Sequence, residues 1–426
     1  MSSFTRAARG GDGSGRSLAF ALAVLAVLAA SASLAQSPFA LTNLGADVRS
    51  SDARIDGRGG WGLAESDTLI PSFHSLAGLP GLRQMVIVVS GYAEKVRSED
   101  GAASRNTNRV RTPTLRAAAP FAEGRLVLSA GFQGLRGTQY DRQLDTVFLL
   151  PDPADPLGAH VPYAAREFFV REGTQFQVPL GLSWRVAPRL SLGASLNLIG
   201  GVMRERVNVI FDEPVTTDGT HYFLTSSEVL EDELSGLSTT WSLLVDPLPS
   251  LAVGAAFTTA HEWDVIRTRD MQGIPGNVVE DYRIEMPASW AVGAAAALSD
   301  RWRFGAEYES QPYSKLRGRP DWENVMADAW RLGFGFDRAE AYERRAGRRN
   351  LPLRVGYSLH KWPYLVGGEE IIEKRVSAGT GFSFRDRSGH LDIALSHAWV
   401  GDVARNGSQD RVWRLSVSVA GLEKWW

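Results

Sequence analysis

Apolar residues occur at every second position along most of this chain. In the stretch QFQVPLGLSWRV, residues 175–186, the even positions from Phe176 to Val186 are all apolar, while the odd positions are polar or small apart from Pro179. Successive side chains of a strand point to opposite faces, so this pattern predicts a strand with one apolar and one polar face. The same period begins again near residues 84, 112, 125, 190, 235, 251, 282, 302, 330, 351, 376, 391 and 413. The chain is therefore predicted to be all-β, with about fourteen strands.

The connections between these strands alternate in length. Short turns are predicted at residues 123–124, 187–189, 246–250, 299–301 and 385–388, and longer polar segments at 93–111, 140–167, 205–234, 268–281, 310–328 and 361–371. An outer-membrane β-barrel has short periplasmic turns and long outer loops, whereas a soluble sandwich has no reason to alternate. We therefore predict a transmembrane antiparallel β-barrel. One connection is long where a turn is expected, and we predict a small periplasmic helix there, at residues 338–350.

Aromatic residues support the barrel because they sort by strand end. Those predicted near the outer ends are Trp263, Tyr282, Tyr308, Trp330, Trp399 and Trp413, and those near the inner ends are Trp184, Trp302, Phe121, Phe336 and Phe384. Two aromatic girdles are typical of a barrel that meets both membrane interfaces. The even positions from Tyr282 to Leu298 also hold one phase and predict a single lipid-facing strand. The apolar faces are thus expected to contact lipid.

The N-terminus has the pattern of a secretory signal peptide. Arg6, Arg9 and Arg16 precede an apolar run at residues 18–30, and the small residues Ser33 and Ala35 follow. This order of charge, apolar core and small residues predicts a signal peptide over residues 1–35, cleaved after Ala35. A membrane anchor is the alternative, but the run is short for a spanning helix. The protein is expected to be exported.

Composition excludes several classes of function. The chain has 426 residues, a formal net charge of −2 and no cysteine, so neither a nucleic-acid partner nor a disulfide framework is expected. Its seven histidines form no close pair at ligand spacing, and we expect no metal and no other cofactor. Charged residues at inward positions are predicted to form ion pairs within the barrel, with a minority lining a ligand path. They are Arg185, Arg303, Glu307, Glu309, Arg331, Arg354, Asp392 and Arg414.

An enzymatic function has little support in the sequence. The stretch GYSLH at residues 356–360 lacks the closing glycine of a nucleophile elbow. His397 is predicted to face outward near the outer girdle, where a hydrolase would need a partner serine on a neighbouring strand, and none is found there. We therefore predict that the protein is not an enzyme.

The first part of the expected mature chain does not have the strand pattern. It includes RIDGRGGWGLAESDTLIPSFHSLAGLPGL, residues 54–82. This stretch resembles the N-terminal hatch of the FadL family of outer-membrane transporters of hydrophobic compounds, in which a GxGGA-like run, an AxxD segment and an NPAGL-like turn precede the first strand. The matching positions are Gly57, Gly59, Gly60 and Gly62, then residues 64–67, then residues 75–79. Ser75 and Leu76 replace the Asn-Pro of the family pattern.

The resemblance implies an organisation and a function. It implies a hatch over residues 36–83, inside a barrel over 84–426, in the outer membrane of a Gram-negative-type bacterium. Such a barrel would be a passive transporter of small hydrophobic molecules, such as long-chain fatty acids or aromatic hydrocarbons. We assign ligand contacts to hatch residues Phe73, His74, Leu76 and Leu79. Two alternatives stay open: a docking component of a secretion system, and a non-specific porin.

Partners follow from the same interpretation. A hydrophobic ligand, outer-membrane lipid and the barrel-assembly machinery are expected, and the chain is expected to act as a monomer. The assembly machinery commonly reads an aromatic residue on the last strand, and this chain ends in Trp425 and Trp426. We predict that these two residues are its assembly signal.

A phase slip marks a candidate exit for the ligand. In RLVLSAGFQGLRGTQY, residues 125–140, Leu126 to Phe132 hold one phase, but Leu135 is out of step. A slip of one residue at glycine is typical of a β-bulge, which bends a strand and interrupts its ladder. The resemblance implies a third strand that is kinked inward beside a lateral opening into the membrane. We assign the shaping of this opening to Gly131, Gly134 and Gly137.

Overall fold

A computed structural model describes most of the chain: residues 39, 44–48, 52–66, 74–101, 104–152, 155–216, 222–272, 277–319, 325–339, 341–343, 348–384 and 389–423. The predicted signal peptide, Phe73, the turn at 385–388 and the C-terminal pair Trp425 and Trp426 lie outside these residues. Within them, fourteen antiparallel strands form one closed barrel. The predicted antiparallel β-barrel and its strand number are confirmed.

The barrel strands follow one another around the ring in chain order. They are β1 Met85–Glu99, β2 Ser104–Phe121, β3 Leu126–Asp152, β4 Asp155–Ala187, β5 Leu190–Thr216, β6 Tyr222–Leu248, β7 Leu251–Thr258 with His261–Met271, β8 Val278–Met286 with Ser289–Ala297, β9 Trp302–Gln311, β10 Ala329–Arg338, β11 Leu353–Val366, β12 Glu369–Ser383, β13 Gly389–Asp402 and β14 Ser408–Glu423. Strand β14 pairs with β1 from Gln409↔Glu99 to Glu423↔Met85, which closes the ring. We call the end with the β2–β3 and β4–β5 turns the lower end, and the opposite end the upper end.

Few elements lie outside the barrel strands. Two short helices are α1 Ala53–Gly57 and α2 Val403–Asn406, and single 3-10 turns lie at Leu76–Gly78, Ala122–Gly124 and Tyr313–Lys315. A two-residue strand, Ala46–Asp47, pairs with β3. The longest helix of the described residues has five residues, so none of their helices could cross a membrane.

Several predicted long loops are strands instead. Most of 93–111, 140–167 and 205–234 belongs to β1–β6, and β3 and β4 have 27 and 33 residues. The upper parts of these strands pair with each other, for example at Asp141↔Val170. Apolar and polar residues do not alternate regularly in these parts, so the period of two that reveals a strand is missing there. The segment at 361–371 holds only a tight turn at Gly367 and Gly368.

The predicted periplasmic helix at 338–350 is also wrong. Its described residues form a short hairpin, Ala341–Glu343 paired with Arg348–Asn350. Two strands of three residues satisfy each other's backbone groups without the barrel, because an antiparallel pair exchanges its hydrogen bonds locally.

The single phase predicted for residues 282–298 is wrong as well. Ile284 and Met286 are 1% and 3% exposed and point into the barrel, whereas Trp290 is 44% exposed on the outside. The change of face falls at Pro287, which has no backbone N–H to give to the ladder. The adjacent strand β7 breaks at the same level, and Trp263 is 3% exposed. Trp263 and Tyr282 therefore do not belong to the outer girdle.

Elsewhere the outward face is apolar, as predicted. Exposed side chains along it include Leu128, Leu180, Leu196, Leu237 and Leu395, and Trp184, Trp302, Trp399 and Trp413 lie near its borders. A monomer in water rarely exposes a continuous apolar band of this size. The band fits the hydrocarbon core of a membrane, since neighbouring strands of the described barrel are paired around the ring up to Gln133 of β3.

Candidate functional site

Residues 52–66 and 74–82, which we call the N-terminal segment, cross the lumen of the barrel. Asp52 caps α1 by accepting a 2.9 Å hydrogen bond from the backbone N–H of Arg54. The N–H of Ala53 donates to Ser418 Oγ on β14 at 2.7 Å, and the N–H of Ala77 donates to Ser242 Oγ on β6 at 3.0 Å. Strands β14 and β6 lie on different sides of the ring. The segment is therefore bonded across the lumen.

Glycines in the strands make room for the segment. Gly333, Gly335 and Gly356 lie against the backbone of residues 58–59, and Gly305 lies under the indole ring of Trp61. A Cβ on Gly305 would be 2.5 Å from Trp61 Cε2, which is closer than side chains approach each other. A single inward glycine does not by itself predict a packing site in a strand pattern. Several inward glycines on one face, however, indicate where another chain segment packs against the barrel wall.

The four glycines assigned to the hatch meet the wall or fold the segment. Gly57 packs against Gly379, and Gly59 has a φ of 83° and lies against Tyr357. Gly60, with a φ of 89°, lies beside the Arg331 side chain, and Gly62 beside Ile55 and His74. The two positive φ angles favour glycine, because a side chain there is strained.

Buried ion pairs join the segment to the wall. Glu65 accepts from Arg54 at 2.5 Å and also from Arg58, and Arg58 lies 3.5 Å from Asp337 on β10. Burial alone would raise the pKa of the Glu65 carboxyl, but Arg54 and Arg58 hold this pKa well below its usual range. Glu65 is therefore ionised at every physiological pH. Removing either partner would leave an uncompensated buried charge.

Glu307 on β9 collects a second set of bonds. Its Oε2 accepts the backbone N–H groups of Gly62 and Leu63 at 2.8 and 2.9 Å, and its Oε1 lies 2.6 Å from His74 Nε2. Arg331 donates to Glu307 Oε1 at 2.8 Å and to the carbonyl of Gly60 at 2.9 Å. One carboxylate thus fixes both halves of the segment.

The inward charges predicted from the sequence do form pairs. Arg331 pairs with Glu309 at 3.0 Å as well as with Glu307, and Arg354 pairs with Asp392 at 2.5 Å. Arg414 reaches Glu94 at 2.6 Å, and Arg303 lies 3.7 Å from Asp337. Arg185 instead donates to the carbonyl of Pro80 in the segment. In the described part of the chain, no group of three or more His, Asp or Glu side chains is placed to bind a metal ion.

The structure separates the predicted ligand-contacting residues. His74 and Leu76 line a lumenal cavity of about 360 Å³ above the segment. Leu79 does not line it: this side chain is fully buried near the lower end with Leu82, Val86 and Val127. Phe73 lies outside the described residues. Of the four assigned contacts, two therefore share one cavity.

The edge of β3 is open beside the predicted bulge. The β2–β3 ladder ends at Thr114↔Gln133, and Leu135 is the extra residue at which the β3–β4 register shifts, so the bulge is confirmed. Gly134 and Gly137 lie above the last β2–β3 pair. Gly131 does not: it sits within the ladder, opposite Arg116. Among the described residues, the opening in the wall begins at Gly134.

A short strand that the sequence analysis did not predict covers this open edge. Ala46 and Asp47 pair with Gly137 and Arg136, and the N–H of Val48 donates to the Leu135 carbonyl at 2.9 Å. The hydroxyl of Tyr364 on β11 donates to the carbonyl of Gly45, which holds the strand from the lumen side. The bonds to β3 use backbone groups on both sides, so no side-chain pattern could predict them.

Comparisons with known proteins bear on the fold. No family model and no curated protein matches the chain. A FadL homologue from Pseudomonas aeruginosa has a similar structure, with a TM-score of 0.59 and 12% identity over 89% of this chain and 99% of that one. The toluene transporter TbuX of Ralstonia pickettii gives 0.55 and 15% over 90% and 100%. The monoaromatic hydrocarbon channel CymD gives 0.53 and 14% over 87% and 97%. The barrel fold implied by the resemblance is thus shared with these structures.

Proposed function

We propose that the chain is a member of the FadL family and acts as a passive outer-membrane channel for small hydrophobic molecules, with a lateral exit into the membrane. The observation that carries the proposal is the open edge of β3 above Gln133, in a barrel whose lumen is crossed by the N-terminal segment. The shared fold of two hydrocarbon channels and a FadL homologue supports it. Long-chain fatty acids and aromatic hydrocarbons are the candidate substrates.

The segment acts as a hatch that closes the straight path through the barrel. At the lower end Leu79 and Leu82 pack tightly against Val86 and Val127. The N–H of Gly81 donates to the Gly124 carbonyl at 2.7 Å, which ties the segment to the β2–β3 turn. A non-specific porin needs an aqueous lumen, so this packing disfavours that alternative.

The sideways path suits an apolar ligand. A molecule that leaves through the wall enters hydrocarbon directly and never crosses the water of the periplasm. The strand at Ala46–Asp47 lies on the open edge and must move aside for the ligand. Arg111 lies close to Gly137 from the β2 side, so the opening is narrow.

Filling the opening tests the proposal. Valine at both Gly134 and Gly137 adds branched side chains at the open edge, while the wall below Gln133 stays paired. We expect a barrel that folds, by its heat-dependent shift on gels, but takes up no hydrophobic substrate. Gly421→Val is the control, because a Cβ there meets nothing within 4 Å. Normal uptake by the double variant would refute the lateral exit.

A further inference from the structure

The lumenal cavity has one wall of uncharged polar side chains. Inward positions of β5, β6 and β7 contribute hydroxyl and amide groups, and these are Ser195, Asn197, Ser238, Thr240, Ser242 and Thr258. Asn197 donates to Ser238 Oγ at 3.2 Å and to Thr240 Oγ1 at 3.0 Å, and Thr240 lies 2.9 Å from Thr258 Oγ1. A pathway for hydrocarbons alone would not need this row of hydrogen-bonding side chains, which we call the polar ladder.

The bonds within the ladder leave donors for a ligand. A hydroxyl offers one donor and two acceptor sites, and Ser238 uses an acceptor site toward Asn197. Its own O–H is therefore available to an oxygen atom in the cavity. Ser238 and Asn197 are 4% and 2% exposed, so water competes little for these groups.

Trp263 supplies a second donor at the upper end of this wall. Its side chain lines the cavity, is 3% exposed, and its Nε1–H has no hydrogen-bond partner among the described residues. An unpaired buried donor is costly and is normally satisfied by a ligand or water. The ring lies over Gly236, where a Cβ would be only 2.8 Å from Trp263 Cδ1. Glycine at this position lets the indole lie flat against the wall.

The two donors belong to the same part of the wall. Gly236 and Ser238 are two positions apart on the inward face of β6, and Trp263 Nε1 is 3.6 Å from the Cβ position of Gly236. Side chains two positions apart on a strand share one face. A ligand oxygen at this wall can therefore accept from the indole N–H or from the Ser238 hydroxyl.

Apolar side chains also line the cavity, beside polar and charged groups such as His74, Gln133, Arg136 and Glu309. Leu76 comes from the N-terminal segment, and Ile199, Met286 and Leu135 come from the barrel. A cavity of about 360 Å³ holds a small molecule of moderate length. The arginines at its border are engaged, since Arg116 donates to Gln133 and Arg136 to the Tyr313 hydroxyl. An ionised ligand would have to break one of these bonds.

We propose that this cavity selects uncharged molecules with an apolar body and one oxygen acceptor, such as alcohols, ketones and esters, over plain hydrocarbons and ionised acids. The proposal rests on the channel function proposed above and adds the ligand class. The apolar body contacts Leu76, Ile199 and Met286, while the oxygen accepts from Trp263 or Ser238.

Uptake of three labelled compounds of one chain length tests the ligand class: decane, 1-decanol and decanoate. Cells with the wild-type channel should take up decanol faster than decane, on the order of fivefold for one net hydrogen bond, and decanoate no faster than decane. Trp263→Phe keeps an aromatic ring and removes the donor, and Ser238→Ala removes the hydroxyl. Each substitution should narrow the difference between decanol and decane, and the double variant should take up the two compounds at equal rates.

Ser227→Ala is the matched control, because Ser227 also lies on β6 and bonds an asparagine of β5, Asn208, at 2.7 Å, but outside the cavity. It should leave all three rates unchanged. Three results would overturn the ligand class: equal uptake of decane and decanol by the wild type, a preference for decanol that survives both substitutions, or faster uptake of decanoate. Uptake of decane above that of cells without the channel would still support the channel function. No uptake of any compound above that of cells without the channel would refute the channel function itself.

Discussion

Glu307 on β9 accepts a 2.9 Å hydrogen bond from the backbone N–H of Leu63 in the N-terminal segment. The same carboxylate contacts Gly62, His74 and Arg331, so it joins two parts of the segment to one strand. Under the proposed function, these bonds hold the hatch in place.

Glu307→Gln should loosen the hatch and leave the barrel intact. The amide has a single acceptor oxygen, so it cannot keep both the bonds to Gly62 and Leu63 and the bonds to His74 and Arg331, and bonds to a charged group are worth about 1.5–3 kcal/mol each. Sugar entry into liposomes should rise above that of the wild type. Glu309→Gln is the control, since Glu309 contacts Arg331 but its side chain is 49% exposed. Equal sugar entry for wild type and Glu307→Gln would contradict this role.

Glu65→Gln should destabilise the protein strongly. It leaves Arg58, which is fully buried, without its closest carboxylate, and breaking a buried ion pair costs about 3–5 kcal/mol. Thermal unfolding in detergent should begin at a lower temperature, and protease should cut the segment. Glu369→Gln removes an exposed pair with Arg405 and should cost under about 1 kcal/mol. Similar losses for the two variants would argue against the buried network.

The stabilisation from Glu65 should persist through mildly acidic pH. Its pKa is depressed in the folded protein, so its contribution is present above the unfolded value of about 4.3 and is lost only as pH falls toward the folded value. The difference in unfolding temperature between wild type and Glu65→Gln should therefore be constant from pH 8 to pH 5. A difference that vanishes within this range would show that Glu65 is not held ionised.

Gly305→Ala should displace Trp61. The added methyl group would lie 2.5 Å from the indole ring, and the ring cannot retreat because Trp61 is 1% exposed among its neighbours. We expect a folded barrel that lets more sugar enter liposomes than the wild type does. Gly421→Ala, at which a Cβ meets nothing within 4 Å, should behave as the wild type. A tight lumen in Gly305→Ala would mean that the segment does not need this recess.

Much of the barrel could be predicted because lipid and lumen impose a period of two on each strand. The same logic located the bulge, since one extra residue at Leu135 shifts the phase of every residue above it. It failed where neither face meets lipid, as in the upper parts of β5 and β6, where Arg204 pairs with Glu231. It also failed at Pro287, where two irregular strands change face together and turn Trp263 inward.

The candidate site was only partly predictable. Glycines and a family-like order of motifs located the segment, and His74 and Leu76 do line the cavity. The polar ladder escaped notice because Ser195, Asn197 and Ser238 look like ordinary inward residues of a barrel. The strand at Ala46–Asp47 could not be found from side chains, since backbone pairing holds it.

If ligand leaves through the opening that Ala46–Asp47 covers, a reversible disulfide that locks this strand in place should stop transport. The chain has no cysteine, so Ala46→Cys with Gly137→Cys creates the only possible disulfide. The two residues are antiparallel partners, whose Cα atoms lie about 4.5–5.5 Å apart, a separation that a disulfide can span. Ala117→Cys with Ala130→Cys, partners lower in the β2–β3 ladder, is the matched control. We predict that uptake of a hydrophobic substrate stops when the 46–137 pair is oxidised and returns on reduction, while the control pair changes nothing. Full uptake with the 46–137 disulfide formed would contradict the account.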